Sequence, residues 1–323
     1  MNRFVPKIFF SSSPRNEKSL EAWEQFFRYS RIGYKTDRKR FHANFRASNL
    51  AVIFGSWKKV KTPHHKVKLA VMERYPNFIC CETSLLGRGK VTEAFNEDWF
   101  RIGLNTFLAN SGSFNSTDKI KPDRWEMIRS TRQIEMLPWK PGSGKYITVC
   151  LQLPSDASLE GNNISLWMLN QCKTIRKQTD FPIKIRLPQL KRDFDPACIE
   201  EASSMKNVIL EQGTRENLHK TIDDSLFVST YSSGMAIDAL LRGTPICIES
   251  KAGFAYAART SLDQALQSNF NRPDRTTLLS QLAYCQWNIE EIEAGLPWKH
   301  LVQQDKAFMS SNPKERFSQP INR

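Results

Sequence analysis

A short hydroxyl-rich run in the second half of the chain has the residue types that bind phosphate. Residues 226–228 are apolar and predict a strand, and apolar side chains recur at helical spacing over residues 235–240. Between them lie Thr230, Tyr231, Ser232, Ser233 and Gly234. Backbone N–H groups and serine hydroxyls at the start of a helix predict a site for a phosphate group. An ordinary helix cap without a ligand gives the same pattern, so the residues alone leave both interpretations open.

The sequence around this run predicts a β-α-β unit within a larger α/β half. Residues 243–245 (GTP) end the predicted helix, and residues 246–248 form a second apolar strand. Residues 146–153 (YITVCLQL) and 182–188 (PIKIRLP) predict further strands. In this order the segment resembles the carboxyl-terminal half of two-domain (GT-B type) glycosyltransferases, in particular the capsule-polysaccharide group. The resemblance extends over about residues 145–300.

The resemblance implies a site for a nucleotide-sugar donor in the second half. In that family the hydroxyl-rich turn holds the phosphate and sugar of the donor, and the following helix carries an acidic residue, which is Asp238 here. The family usually has the pattern R-x-H-P; here Pro188 matches its proline, Leu187 stands where the histidine would be, and Arg186 directly precedes Leu187. Because leucine replaces the histidine that meets the donor phosphates, we expect Arg186 to neutralise much of their charge.

Length and composition predict two α/β domains. A chain of 323 residues exceeds what one hydrophobic core usually spans, and the Pro and Gly residues within 138–145 predict a linker. We expect a basic, acceptor-binding Rossmann-like domain over residues 1–140. A second, donor-binding domain is expected over residues 141–323, with a closing helix and a loose tail. The functional cleft then lies between the two domains.

Several features predict a cytoplasmic protein, in the host cytoplasm if the protein is viral. No apolar run approaches the ~18 residues that cross a bilayer, and the amino terminus is a poor secretory signal. Seven cysteines without a C-x-x-C pair predict reduced thiols. We expect a monomer that needs no metal ion and no cofactor besides its nucleotide-sugar co-substrate.

Positive charge is concentrated in the first half. The formal net charge is +13 over residues 1–140 and +1 over residues 141–323, which together give the +14 of the chain. Basic clusters at residues 28–46 and 58–68 are interleaved with aromatic side chains, as in surfaces that bind phosphates and bases. The candidate acceptor-binding residues are Arg38, Lys39, Arg40, Lys58, Lys59, Lys61, His64, His65, Arg88 and Arg101. A solvated face that only keeps the protein soluble is the alternative.

Glu82 is the candidate general base, because it follows the apolar strand predicted over residues 77–81. Active groups lie at the carboxyl ends of parallel strands. Two segments, E-T-x-x-L-G-R from Glu82 and R-x-G-L-N from Arg101, resemble segments of phage and capsule-type transferases. The rival bases are Asp98, Asp123 and His65. A structural ion pair of Glu82 with Arg88 or Arg101 is the alternative interpretation.

Together these features predict a metal-independent glycosyltransferase, either a hexosyl- or a pentosyltransferase. The resemblance implies a UDP-sugar donor, and the basic half implies a polyanionic acceptor. Double-stranded bacteriophage DNA with hydroxymethylated pyrimidines such as hydroxymethylcytosine satisfies both features, because it offers a hydroxyl to glycosylate and phosphates to bind. One alternative is a capsule-type transferase that acts on an acidic polysaccharide or a lipid-linked sugar. Another is a non-catalytic nucleic-acid-binding protein on a degenerate transferase fold.

Overall fold

The structure is a computed structural model of the 323-residue chain. It describes residues 6–9, 14–30, 35–37, 50–54, 63–75, 78–87, 98–112, 114, 121–189 and 194–301. The candidate residues Arg38, Lys39, Arg40, Lys58, Lys59, Lys61 and Arg88 lie outside the described residues. His64 and His65 belong to a described helix, but their side chains lie outside the description.

The first part of the chain forms a mixed sheet covered by helices. Its described elements are β1 (Pro6–Phe9), α1 (Pro14–Tyr29), β2 (Lys35–Asp37), β3 (Leu50–Phe54), α2 (Pro63–Arg74), β4 (Phe78–Thr83), β5 (Trp99–Leu104) and α3 (Asp123–Thr131). Strands β2, β1, β3 and β4 are parallel neighbours in that order, whereas β5 runs antiparallel to β4. Every residue of β3 and β5 is buried, as expected of strands with both faces covered.

The second part forms an all-parallel sheet in the order β10-β9-β6-β7-β8. Its elements are β6 (Tyr146–Cys150), α4 (Ile164–Gln178), β7 (Ile183–Leu187), α5 (Pro196–Ser204), β8 (Val208–Gln212), α6 (Arg215–Asp223), β9 (Ser225–Thr230), α7 (Met235–Leu241), β10 (Ile246–Ile248), α8 (Leu262–Leu266) and α9 (Arg275–Ala283). Because β6 lies between β7 and β9, the chain winds outward in both directions from β6. This arrangement leaves a crevice at the carboxyl ends of β6 and β9.

The end of the described chain returns to the first sheet. Its elements are β11 (Gln286–Asn288), α10 (Ile289–Glu293) and α11 (Leu296–Leu301). Strand β11 pairs antiparallel with β5, so that Trp287 lies opposite Phe100. Trp298 packs against Phe26 and Phe27 of α1, with ring centroids 5.7 and 5.5 Å apart. The closing segment therefore completes the first core, whereas the sequence-based division placed it with the second domain.

Two further observations bear on the sequence-based expectations. Within the described ranges, no helix combines the length and apolar composition needed to cross a membrane. All seven cysteines are free and buried. Burial raises the pKa of Cys150 to about 11, so this thiol stays protonated and unreactive near neutral pH.

His300 in α11 gives the closing segment a pH dependence. Its Nε2 lies 3.1 Å from the carbonyl oxygen of Phe114, and its ring stacks on Tyr284 with centroids 5.2 Å apart. Burial lowers the pKa of His300 below its ordinary value of 6.5. The unfolded chain therefore binds a proton here more readily than the folded chain. We expect the free energy of unfolding to fall as the pH drops through about 6.5.

Urea unfolding at about pH 5 and about pH 7.5 measures this effect. In His300→Gln the difference in stability between the two pH values should be smaller than in the wild type. An unchanged difference in His300→Gln would show that other groups cause the acid sensitivity.

Candidate functional site

A cavity of about 620 Å³ lies between the two sheets, at the carboxyl ends of their parallel strands. Glu82 at the end of β4 lines it from the first domain. From the second domain it is lined by Gln152 after β6, Leu187 at the end of β7, Gly213 after β8 and Ser232 after β9. This is where parallel α/β sheets place their ligands, so the cavity is the candidate functional site.

The hydroxyl-rich turn after β9 reaches this cavity with only part of its length. Ser232, Ser233 and Gly234 line the cavity, as does Asp238 in α7, which is 7% exposed. Thr230 is fully buried, and its hydroxyl donates to the carbonyl oxygen of Cys150 at 3.1 Å. Tyr231 packs edge-on against Trp167, with ring centroids 5.9 Å apart. Direct donor contacts predicted for Thr230 and Tyr231 are not supported, since neither belongs to the cavity wall.

Within the turn, Ser232 and Ser233 have different environments. The Ser232 backbone N–H donates to the Oε1 atom of Gln152 at 3.0 Å, and its hydroxyl lies 2.8 Å from that of Ser158. Ser232 is therefore part of the scaffold and not a free phosphate ligand. The Ser233 Oγ atom accepts from the N–H of Met235 at 3.2 Å, which leaves its hydroxyl proton able to donate. Among the described residues, no acceptor lies within hydrogen-bond distance of the Gly234 N–H.

Arg186 lines the cavity, but its guanidinium group is bound into the protein. Its Nη1 atom donates to Glu211 at 2.9 Å, and its Nη2 atom donates to the carbonyl oxygen of Thr214 at 2.7 Å. Nη1 also contacts the side-chain oxygen of Asn217. Arg186 is 6% exposed. Glu211 also pairs with Lys184, so this cluster keeps a net positive charge, and the role of Arg186 at the donor phosphates stays a prediction.

Glu211 stays ionised in this network. Burial alone would raise the pKa of Glu211, but hydrogen bonds from Lys184, Thr221 and Arg186 hold it below its ordinary value. The Lys184 Nζ atom lies 2.8 Å from the Glu211 carboxylate. Arg186 and Glu211 stand opposite each other on neighbouring strands β7 and β8. This arrangement fixes the loops that follow both strands, which form one end of the cavity wall.

The first-domain wall carries Glu82 and Arg101 side by side. The two residues are opposite each other in the β4–β5 register. The Glu82 carboxylate accepts from the N–H and the hydroxyl of Thr83, each at 2.8 Å. The Arg101 guanidinium lies 4.9 Å from the ring centroid of Phe107 and 5.2 Å from that of Phe254. Arg101 therefore helps to hold the two domains together, and Glu82 stands beside it at the cavity.

Among the rival bases, Asp98 and Asp123 do not line this cavity. Asp98 is bound to Lys18 at 2.9 Å on an exposed surface. Asp123 accepts from the hydroxyl of Tyr284 at 2.9 Å and lines a separate, smaller cavity. The side chain of His65 lies outside the described residues. In the described part of the first domain, Glu82 is the carboxylate that remains in the cavity wall.

Gln152, Ser158 and Phe254 form parts of the site that the sequence-based prediction missed. Gln152 lies two residues after the end of the first strand of the second domain, so the rule that ligands bind at strand ends could have found it. Ser158 lies in a short 3₁₀ turn and Phe254 in a loop, away from any strand end predicted from the sequence. In the described portion of the chain, no three His, Cys, Asp or Glu side chains are grouped as metal ligands would be.

Comparison with known proteins identifies the type of fold. No protein-family model and no curated protein matches the sequence. The β-Kdo 2,4 transferase KpsC of Thermosulfurimonas dismutans has 13% identity and a TM-score of 0.51, over 92% of this chain and 99% of that one. The chain has a GT-B-type fold. This confirms the predicted architecture of two Rossmann-like domains with a cleft between them.

Two other solved structures match over most of the chain. The β-Kdo 2,7 transferase KpsC of the same organism has 12% identity and a TM-score of 0.48, over 91% of this chain and 98% of that one. The UDP-GlcNAc 2-epimerase of Methanocaldococcus jannaschii, in complex with UDP-GlcNAc and UDP, has 9% identity and a TM-score of 0.36. That match covers 84% of this chain and 94% of the epimerase.

Proposed function

We propose that the protein is a glycosyltransferase that moves a sugar from a nucleotide-sugar to an acceptor hydroxyl. The observation that carries the proposal is the cavity between the two sheets of a GT-B-type fold. One wall holds the Ser233–Gly234 turn, and the opposite wall holds Glu82. Glycosyl transfer needs groups that stabilise a departing phosphate and a base that deprotonates the acceptor. In this proposal the Ser233–Gly234 turn stabilises the phosphate, and Glu82 is the base.

The donor is placed on the second domain, with its phosphates at the turn after β9. The Ser233 hydroxyl and the Gly234 N–H are the groups that would donate hydrogen bonds to the leaving phosphate. Arg215, an exposed residue at the start of α6, also lines the cavity and adds positive charge. These contacts need no metal ion. A UDP-sugar is the proposed donor.

Glu82 is placed opposite as the general base. Its carboxylate accepts hydrogen bonds from Thr83, and a carboxylate can accept a proton from the acceptor hydroxyl. Its neighbour Arg101 places a positive charge on the same wall, opposite Glu82 in the strand register.

The acceptor is proposed to be polyanionic, and hydroxymethylpyrimidine in double-stranded phage DNA is the first candidate. The net charge of +13 over residues 1–140 supports this choice. Strand β3 ends at Phe54, which is opposite Cys81 in the β3–β4 register. The basic cluster that begins at Lys58 therefore follows a strand that ends at the same sheet edge as Glu82.

A capsule-type acceptor, such as an acidic polysaccharide, is the second candidate. The β-Kdo 2,4 transferase KpsC, whose fold this chain shares, favours it. Both candidates use the same donor wall and the same base, so the acceptor alone distinguishes them.

The test combines a panel of UDP-, GDP- and CMP-sugars with two acceptors, hydroxymethylated phage DNA and an acidic capsule polysaccharide. Nucleoside mass spectrometry of the DNA, and mass spectrometry of the polysaccharide, detect an added sugar. Transfer to DNA alone supports the first candidate, and transfer to polysaccharide alone supports the second. DNA binding without binding of any nucleotide-sugar would instead show a non-catalytic nucleic-acid-binding protein.

Charge reversal in the basic cluster tests its role with DNA. We expect Lys58→Glu, Lys59→Glu and Lys61→Glu together to raise the acceptor KM and to flatten its salt dependence. Each lost phosphate contact should reduce the slope of log K against log salt by about 0.9. Donor affinity should stay unchanged, because the donor phosphates are placed on the other domain. Normal modification of short acceptors with poor modification of long duplexes would place this cluster outside the acceptor groove.

A further inference from the structure

Gln152 makes an unusual number of contacts at the floor of the cavity. It lies two residues after the end of β6, is 6% exposed and lines the cavity. Its Nε2 atom donates to the hydroxyl oxygens of Ser158 at 2.8 Å and of Ser232 at 3.0 Å. Its Oε1 atom accepts from the backbone N–H of Ser232 at 3.0 Å. One carboxamide thus binds a backbone group and two hydroxyls.

These contacts join three segments that meet at the crevice of the second sheet. Gln152 lies two residues after the end of β6, and Ser232 lies two residues after the end of the neighbouring strand β9. Ser158 lies in a single 3₁₀ turn, Ala157–Leu159, whose start is capped by the side chain of Asp156. The side chain of Gln152 therefore spans the point where the winding of the sheet reverses, which is where α/β proteins bind their ligands.

The opposite side of Ser232 is held by the loop after β10. A Cβ atom added to Gly253 would lie 3.3 Å from the Cα atom of Ser232 and 3.4 Å from its carbonyl oxygen. The Ser250 N–H also donates to the carbonyl oxygen of Tyr231 at 2.8 Å. The peptide groups at the start of the turn are thus fixed between this loop and Gln152. The next two residues, Ser233 and Gly234, face the cavity.

We propose that Gln152 is a positioning residue for the phosphate-bearing part of the ligand. By fixing the Ser232 peptide group, its carboxamide sets the direction of the Ser233 hydroxyl and the Gly234 N–H. The inference rests on the proposed function only in taking a nucleoside diphosphate group as the ligand. Gln152 acts through the turn, so it is not itself a catalytic residue.

The chemistry of the side chain explains why a neutral amide suits this position. A glutamate would still accept from the Ser232 N–H, but it could not donate to the hydroxyls of Ser158 and Ser232. It would also place a negative charge beneath an anionic ligand. Methionine at this position would remove every hydrogen bond while adding no charge.

The experiment measures binding by calorimetry in the wild type, Gln152→Glu and Gln152→Met. The four nucleoside diphosphates UDP, CDP, GDP and ADP are screened first. The best of them is then compared with its own monophosphate and nucleoside. Thr244→Val is the matched control, because it removes a buried hydrogen bond from the Thr244 hydroxyl to the Ile222 carbonyl at the far end of α7.

We expect Gln152→Glu to weaken diphosphate binding by about 10- to 100-fold, monophosphate binding less, and nucleoside binding by no more than about twofold. In Gln152→Met the affinity should again fall most for the diphosphate and least for the nucleoside, but by smaller factors. Thr244→Val should bind all three ligands like the wild type. A general structural role predicts equal losses for all three ligands. Equal losses, or unchanged diphosphate affinity in a folded Gln152→Glu variant, would overturn the proposal.

Inorganic pyrophosphate separates this proposal from the proposed function. If the wild type binds pyrophosphate but no nucleotide, the proposed nucleotide-sugar donor is wrong. The role of Gln152 can then still be tested by pyrophosphate binding. Loss of pyrophosphate binding in Gln152→Glu then supports the positioning role. Absence of pyrophosphate and nucleotide binding in the wild type contradicts both. Thermal unfolding of each variant shows whether it is folded, and Gln152→Met serves as the second variant if Gln152→Glu is not.

Discussion

Replacing Arg186 with alanine is expected to lower the free energy of unfolding by about 3–5 kcal/mol, the usual effect of breaking a buried ion pair. The side chain of Arg186 is 7% exposed and that of Glu211 20% exposed, so water screens the pair only weakly. Without Arg186, the Glu211 carboxylate keeps Lys184 and Thr221 as partners but loses its most buried one. The carbonyl oxygen of Thr214 loses its donor as well.

Urea unfolding followed by circular dichroism measures this loss. Arg186→Lys should lose less stability than Arg186→Ala, because lysine keeps the charge but cannot reach all the acceptors of the guanidinium group. Lys173→Ala is the control, since its pair with Glu201 is about half exposed on both sides and should contribute little. If Arg186→Ala unfolds like the wild type but binds nucleotide poorly, Arg186 is a donor ligand, as the sequence first suggested.

Local patterns in the sequence were sufficient to predict much of the fold. The strands β6, β7, β9 and β10 and the turn after β9 follow from apolar runs broken by Gly, Pro and Ser residues. The return of β11 to the first sheet could not be predicted in this way. Its three residues pair with β5, which lies far earlier in the chain, and such pairing leaves no local signal.

The same limit applies to the candidate site residues. Ser232 and Ser233 are adjacent and chemically identical, but the Ser232 hydroxyl is bound by Gln152 and Ser158, whereas the Ser233 hydroxyl accepts from the N–H of Met235. Arg186 stands next to a strand end, as a phosphate ligand would, but its partner Glu211 comes from the neighbouring strand. Residue type and strand-end position therefore led to residues that line the cleft cavity, whereas the contacts of each side chain depend on pairing across the sheet.

Replacing Glu82 with glutamine is expected to lower kcat for sugar transfer by about 10²- to 10⁴-fold, the usual contribution of a general base. Glutamine keeps the shape of the side chain and can still accept the hydrogen bonds from Thr83. It cannot take a proton from the acceptor hydroxyl. The affinity for the donor should change little, because the Ser233–Gly234 turn lies on the other wall of the cavity.

Steady-state kinetics with saturating donor, together with calorimetric binding of the nucleotide, test this expectation. Asp123→Asn is the matched control, because Asp123 is a carboxylate of the same domain that lines the smaller cavity, away from the cleft. It should keep kcat near the wild-type value. If Glu82 serves only as a structural partner of the neighbouring Arg101, Glu82→Gln should instead lower the free energy of unfolding and leave kcat nearly intact. A large fall in kcat without a loss of stability or of donor affinity is the result that a base in the cleft requires, since only the proton transfer has been removed.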